Sequence, residues 1–131
     1  MDVEVTSAAL AAMRAAARAA HPREACGILL GEQRRIIEAR PAANVHPAPE
    51  THFEIDPQAL VDAHRAARSG GPDVVGYFHS HPVGEPAPSA TDRASAAGDG
   101  RVWAILAGPE VRFWRDEGAG FAALSYILVE G

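Results

Sequence analysis

The sequence predicts a mixed α/β fold in which helices cover a largely antiparallel sheet. Helix and strand patterns follow one another in the order helix, three strands, helix, strand, helix, three strands, which is typical of mixed α/β domains. The length of 131 residues, with 47% apolar and 22% charged residues, fits a single globular domain over residues 1–131.

A proline separates the first predicted helix from the first predicted strand. From Thr6 to Ala20 the chain is rich in alanine and its larger apolar residues recur at helical spacing, with Thr6 or Ser7 available as the N-cap. Pro22 ends this helix. The short apolar segment from Cys26 to Gly31 then predicts a buried strand, with Glu24 just ahead of it.

The next segment predicts two further strands and a second helix. The strands are expected at Arg34–Ala42 and Thr51–Ile55, with an exposed, proline-containing loop between them. Asp56 followed by Pro57 pairs an N-cap acid with proline at the first helical position, and apolar residues continue on one helical face as far as Gly70.

The remaining elements begin with a continuously apolar segment, Val74 to His79, which predicts a central strand. Ser89 and Asp92 have the spacing of a capping box that opens a short helix to about Ala97. Three strands are expected to follow, at Val102–Ala107, Val111–Arg115 and Phe121–Val129.

Composition and charge exclude several classes of function. A net charge of -5 argues against a nucleic-acid partner, because such binding depends on neutralising phosphates with basic residues. No segment approaches the roughly 18 consecutive apolar residues of a membrane span. One cysteine cannot form an intramolecular disulfide, and the sequence begins without a basic segment and apolar core of a secretory signal. We therefore expect a soluble protein of the reducing cytoplasm.

His79 and His81 lie where the predicted central strand ends. Because side chains two residues apart share one face of a strand, both imidazoles can bind one metal ion. Asp92 follows eleven residues after His81, in the first turn of a predicted helix, and offers a carboxylate. Two nitrogens and one carboxylate suit zinc, and three protein ligands leave the fourth tetrahedral position for water. A hydrolytic site also needs a proton-transferring base and a donor to the developing oxyanion, for which Glu24 and Ser89 are candidates.

Each of these residues also has a plainer explanation. A single histidine at the end of a strand is most often an ordinary polar residue with a hydrogen-bond partner. Ser89 and Asp92 can serve as a helix cap, a role that is compatible with a place in a metal site. Cys26 is expected to be a small buried residue, because no second cysteine or nearby basic group supports a nucleophile.

Two separate motifs resemble those of the JAMM (MPN+, Mov34/MPN/PAD-1) metalloproteases. His79-Ser80-His81, seven residues, Ser89, two residues and Asp92 match the family's HxHx7SxxD signature, and the segment Pro22 to Gly31 is similar to the one that carries the family's glutamate. The resemblance implies a curved mixed sheet flanked by helices in a deaminase-like three-layer arrangement. It also implies that His79, His81 and Asp92 bind Zn²⁺, that Glu24 is the general acid/base, and that Ser89 orients the water or the tetrahedral intermediate.

The resemblance further implies a substrate class. Short bacterial members resemble enzymes that trim ubiquitin-like sulfur-carrier proteins after their C-terminal Gly-Gly. A non-catalytic MPN scaffold and a RadC-type protein of DNA metabolism are the alternatives, although all five motif positions are intact and the chain is acidic. A cytidine-deaminase type of zinc enzyme is rejected because its cysteine pair is missing. The sequence leaves the oligomeric state open, and a homodimer is compatible with it.

Overall fold

The computed structural model describes residues 2–130 and contains seven strands and three helices within them. The strands are β1 (Asp2–Thr6), β2 (Cys26–Glu32), β3 (Arg35–Ala42), β4 (Asp73–Ser80), β5 (Val102–Ala107), β6 (Glu110–Asp116) and β7 (Phe121–Val129). The helices are α1 (Ser7–Ala20), α2 (Pro57–Arg68) and α3 (Ala90–Ser95). Over the described range, no helix is long and apolar enough to cross a membrane.

The strands form one mixed sheet that closes on itself. Their order is β1-β3-β2-β4-β5-β6-β7, and β1 joins the two ends because it pairs in parallel with both β3 and β7. The pair β4 and β5 is also parallel, whereas the other four pairs are antiparallel. The predicted mixed sheet flanked by helices is confirmed, and the closure into a barrel is an addition to it.

The two longer helices pack on opposite faces of the sheet. Leu29 of β2 and Phe78 of β4 belong to the apolar cluster that contains Met13 of α1. Their neighbours Ile28 and Tyr77 point to the other face, where they join the cluster that contains Ala63 of α2. The sheet is therefore the middle of three layers.

Strand β1 is the element that the sequence interpretation missed. Val3 and Val5 alternate with polar residues and are fully buried, but a five-residue strand directly before a helix gives only a short pattern. Thr6 ends the strand and also caps α1, because its side chain accepts a hydrogen bond from the Ala9 amide at 3.1 Å. Thr6 is thus both the last residue of β1 and the cap of α1, so no loop lies between the two elements.

The strand predicted at Thr51–Ile55 is wrong. These residues lie in a loop, which we call the 43–56 loop, and only an isolated bridge joins Asn44 to Ile55. The Asn44 side chain bonds backbone groups of this loop, including two within residues 51–55. Its amide donates to the carbonyl oxygens of Glu24, Pro49 and His52, and its oxygen accepts from the amides of His46 and Glu54.

The predicted starts of the other two helices are confirmed. The Asp56 side chain caps α2, with Pro57 in its first turn. Ser89 caps α3, and its reciprocal bonds with Asp92 complete a capping box. Helix α3 ends at Ser95, two residues before the expected Ala97. The capping box therefore fixes where Asp92 enters the site.

Candidate metal centre

Three side chains from two elements converge beside the end of β4. His79 is the penultimate residue of β4, His81 follows the strand, and Asp92 lies in the first turn of α3. The two histidine Nε2 atoms are 3.1 Å apart, and each is 3.1 Å from Asp92 Oδ2. His79 and Asp92 are buried, whereas the His81 side chain is 10% exposed. The site is therefore open to solvent on the His81 side.

The chemistry of these three donors fits a divalent cation. His81 Nδ1 lies 2.8 Å from the Glu85 carbonyl oxygen, which can only accept, so Nδ1 carries the proton and Nε2 presents a lone pair in the neutral ring. Ligand atoms around a tetrahedral zinc at about 2.0–2.1 Å stand roughly 3.3 Å apart. The separations of 3.1 Å are close to that spacing. In the rest of the described chain, no other three histidine, cysteine, aspartate or glutamate side chains bring their ligand atoms within 4.8 Å of one another.

Burial and mutual contact set the charge of the cluster. Burial lowers the pKa of His79, which favours the neutral imidazole that a metal requires. Burial alone would raise the pKa of Asp92, but its bonds to the two histidines hold that pKa far below the usual range. Burial also acts to lower the pKa of His81, yet its contacts with Asp92 and Glu85 leave it raised. The aspartate is therefore a carboxylate at any physiological pH.

Two aromatic side chains enclose His79. The Phe53 ring stacks on the imidazole with a centroid distance of 4.3 Å, and Trp103 approaches edge-on at 5.7 Å. Phe53 comes from the 43–56 loop and Trp103 from β5, so elements distant in sequence hold this ring. Sequence analysis missed both residues, because an isolated aromatic gives no signal of what it contacts.

Glu24 lies at the edge of the same site and is 7% exposed. Its amide donates to the Pro49 carbonyl oxygen at 2.7 Å, and its own carbonyl accepts from Asn44 at 3.1 Å. Burial raises the pKa of the Glu24 carboxyl to about 7, with smaller opposing effects of His81 and Asp92. A carboxyl group with this pKa can both accept and release a proton near neutral pH.

Ser80, between the two histidines, is a positioning residue that the sequence interpretation did not use. Its hydroxyl accepts from the Ala25 amide at 2.8 Å, and its own amide donates to the Ala25 carbonyl at 3.0 Å. These bonds tie the residue after Glu24 to the residue after His79. The signal in the sequence was its place in the His-Ser-His motif.

Ser89 is exposed and contacts the site through Asp92. Its hydroxyl accepts from the Asp92 amide at 3.0 Å, and its amide donates to Asp92 Oδ2 at 2.9 Å. The structure thus brings Glu24, His79, His81, Asp92 and Ser89 into one region, with Ser89 behind Asp92.

Cys26 takes no part in this chemistry. It is buried, burial raises the pKa of its thiol to about 12, and the thiol points to the carbonyl oxygens of Ala42 and Ala43 at 3.7 Å. The expectation of a small buried residue is confirmed. A thiol of that pKa carries almost no thiolate at neutral pH, so it is not a nucleophile.

Comparison with known proteins gives a consistent picture. Residues 6–117 match the family described as prokaryotic homologues of the JAB domain. A desampylase of Haloferax volcanii is 40% identical over 101 residues, which cover 76% of this chain and 72% of that protein. A probable TtuB-protein conjugate cleaving protease of Thermus thermophilus is 38% identical over 71 residues, covering 54% of this chain and about half (47%) of that protein.

A solved structure described as JAMM, a metalloprotease-like zinc site in the proteasome and signalosome, has the same fold. Its TM-score is 0.60 at 19% identity, over 97% of this chain and 99% of that one.

Proposed function

The chain belongs to the family of prokaryotic homologues of the JAB domain, and from this membership we propose that it is a zinc-dependent peptidase or isopeptidase of ubiquitin-like proteins. The observation that carries the proposal is the convergence of two imidazole nitrogens and one carboxylate oxygen at 3.1 Å, beside a glutamate whose pKa is about 7. The names of the Haloferax and Thermus relatives support the same class of reaction.

His79, His81 and Asp92 would hold the metal ion. Bound there, zinc would supply the Lewis acidity that polarises a peptide carbonyl and makes water acidic near neutral pH. The Phe53 and Trp103 rings fix His79 and keep water from its inner side. The Glu85 carbonyl fixes the tautomer of His81.

Glu24 moves the proton in this proposal. Its carboxylate takes a proton from the attacking water and then delivers it to the nitrogen of the leaving amine. The pKa of about 7 suits both transfers, because the donor and acceptor forms are then both populated at neutral pH. Ser89 holds Asp92 through the capping box, and its hydroxyl, which keeps a proton to donate, is our candidate for orienting the water or the tetrahedral intermediate.

We propose that the substrate is a ubiquitin-like sulfur carrier, cut directly after its C-terminal Gly-Gly. An extended peptide can be held through its main-chain hydrogen-bonding groups, which makes little demand on its side chains. Two glycines let the backbone approach the metal centre closely, because they carry no Cβ. A flexible tail of this kind is thus the substrate that such a site accepts most easily.

The proposal is tested with a sulfur carrier extended by a short peptide after its Gly-Gly. We expect mass spectrometry to show trimming to Gly-Gly by zinc-loaded enzyme, and no trimming after a chelator removes the metal. The control is the same carrier with its two glycines replaced by valines, which we expect to remain intact. Intact fusions across several carriers would overturn the proposal and favour a non-catalytic scaffold.

A further inference from the structure

An open groove begins beside the metal centre. Its cavity of about 600 Å³ lies between α1, the turn that joins β5 to β6, and the end of β4. The candidate ligand His81 and its neighbour Ser80 form part of its wall. A peptide bound at the metal centre therefore has this groove within reach.

The groove carries positive charge that the protein itself does not neutralise. Arg14, Arg18 and Arg23 line the cavity, whereas its lining includes no aspartate or glutamate. Within residues 2–130 none of the three arginines forms an ion pair with a carboxylate. Arg14 donates to the Pro109 carbonyl oxygen at 3.3 Å, which fixes that side chain across the groove. The groove therefore carries local positive charge in a chain whose net charge is -5.

The pocket on the other side of the centre differs in this respect. It has a volume of about 350 Å³ and is lined by Phe53 and Trp103 together with three acids. Two of those acids are already bound within the fold. Asp99 pairs with Arg101 at 3.0 Å, and Asp116 accepts hydrogen bonds from the amides of Gly98 and Gly118. Of the two cavities, the arginine groove is the one that carries the positive charge an acidic ligand requires.

We propose that the arginine groove binds an acidic segment of the peptide substrate, close in sequence to the bond that is cut. This inference rests on the proposed peptidase function and adds a specificity for charge to it. Guanidinium groups bind carboxylates through two parallel hydrogen bonds, and several cations along one groove also attract an acidic chain before contact. A groove of this volume is in the usual range for ligand sites.

Peptide binding tests the proposal separately from cleavage. The protein is the zinc-loaded Glu24→Gln variant, so that bound peptide stays intact. The probes are fluorescent Gly-Gly peptides with an Asp-Glu-Asp segment on one side or the other, and matched peptides with Asn-Gln-Asn. We expect one of the two acidic peptides, the one whose charged segment reaches the groove, to bind about five- to tenfold more tightly than its neutral counterpart at low salt. The difference should shrink as salt screens the charges.

Charge reversal separates the proposal from simple loss of structure. In the same background, Arg18→Glu lowers the summed charge of the three side chains from +3 to +1 and should weaken the preference for the acidic peptide. Zinc content and binding of the neutral peptide should stay unchanged, which a misfolded protein would not show. Arg65→Glu is the control, because both arginines are exposed and lie in the last turn of a helix, but Arg65 is remote from the groove. Equal binding of acidic and neutral peptides, or an equal effect of Arg65→Glu, would overturn the proposal.

The proposed function has its own readout. The parent enzyme is given a Gly-Gly fusion that has no acidic residues near the cleaved bond. Its cleavage depends on the peptidase function and not on the groove. Charge-selective binding without cleavage of any fusion would contradict the peptidase function alone. Cleavage without charge-selective binding would contradict the groove alone.

Discussion

Three lone-pair atoms within 3.1 Å of one another need a positive charge between them. A proton can bridge only two of the three at a time, whereas a metal ion bridges all of them. Under the proposed function we therefore expect each of His79, His81 and Asp92 to be necessary for metal binding.

Replacing His81 by alanine should remove the metal. One of three ligands is lost, and the chelate that remains has only His79 and Asp92. Elemental analysis of purified protein should give about one zinc per chain for the natural sequence and a large loss for His81→Ala. His64→Ala is the control, since His64 lies on α2 outside the cluster. Unchanged zinc in both His79→Ala and His81→Ala would show that the ligand set is wrong.

Glu24→Gln should keep the metal and lose turnover. Glutamine has nearly the same shape but cannot take up a proton. The variant should therefore bind the metal as the parent does but turn over substrate more slowly. We expect kcat to fall by about 10²–10⁴-fold or more. The matched change Glu54→Gln affects an exposed glutamate and should leave kcat unchanged. Activity measured with a Gly-Gly fusion would refute the role if the Glu24→Gln variant were as fast as the parent.

The same substitution should change how stability depends on pH. The pKa of Glu24 is about 7 in the folded protein against an ordinary 4.5, so the folded state holds this proton more tightly than the unfolded state. Its contribution is complete below pH 4.5 and is lost as the pH rises through 7. Metal-free parent protein should therefore lose stability relative to Glu24→Gln over that interval. Denaturant titrations in chelator would contradict this if the difference between the two stayed constant.

At the scale of elements, the 43–56 loop contacts the site at two places. It places Phe53 against His79, and its Pro49 carbonyl accepts the Glu24 amide. Asn44 organises this loop from within through bonds to five backbone groups. The loop therefore couples the metal side and the glutamate side of the site.

Asn44→Ala should loosen both sides together. We expect about 1–3 kcal/mol less stability, because several partly buried backbone groups lose their partner. Hydrogen exchange of residues 43–56 should speed up, and kcat should fall while zinc content is retained. Asn44→Asp would place a carboxylate oxygen against the carbonyl oxygens of Glu24, Pro49 and His52, so we expect it to be no more stable than Asn44→Ala. If Asn44→Ala were as stable as the parent, the conformation of the loop would not depend on the Asn44 side chain.

Elements with local signals were predictable, and this loop was not. The starts of α2 and α3 depend on bonds within a few residues, formed by Asp56 ahead of Pro57 and by Ser89 with Asp92, so the local sequence predicts them. The candidate metal ligands could be named for a similar reason, because they form a motif of fixed spacing. Residues 51–55 have the composition of a strand, but Asn44 takes up the backbone groups of this segment from several residues away. The contact of Phe53 with His79 spans two elements and leaves no trace in the local sequence.

At the scale of the whole molecule, β1 decides whether the sheet has edges. It pairs with β7 over five residues and with β3 at Glu4 and Val5. Both edges would otherwise expose unpaired backbone groups, which invite association between molecules. The sequence predicted the sheet but not its closure, because register between distant strands depends on packing that no short pattern records.

Val5→Ala tests how much this strand contributes. Val5 is fully buried between β3 and β7, so its truncation leaves a small cavity and should cost about 2 kcal/mol. Val83→Ala removes the same two methyl groups from a residue that is 91% exposed, and should change stability by less than about 0.5 kcal/mol. Equal denaturation midpoints for the two variants would mean that β1 contributes little to the barrel.

The parallel pairing of β1 with β7 also constrains the order of folding during synthesis. Asp2 bonds to Ser125, a separation of 123 residues, so β1 is synthesised long before the strand it pairs with. Contacts this distant are costly to close and form late. Until then β1 has only its short pairing with β3, and its other edge is open to association with other nascent chains. We therefore expect the yield of soluble protein in cells to depend on chaperones that bind the emerging chain, more than its final stability alone would suggest.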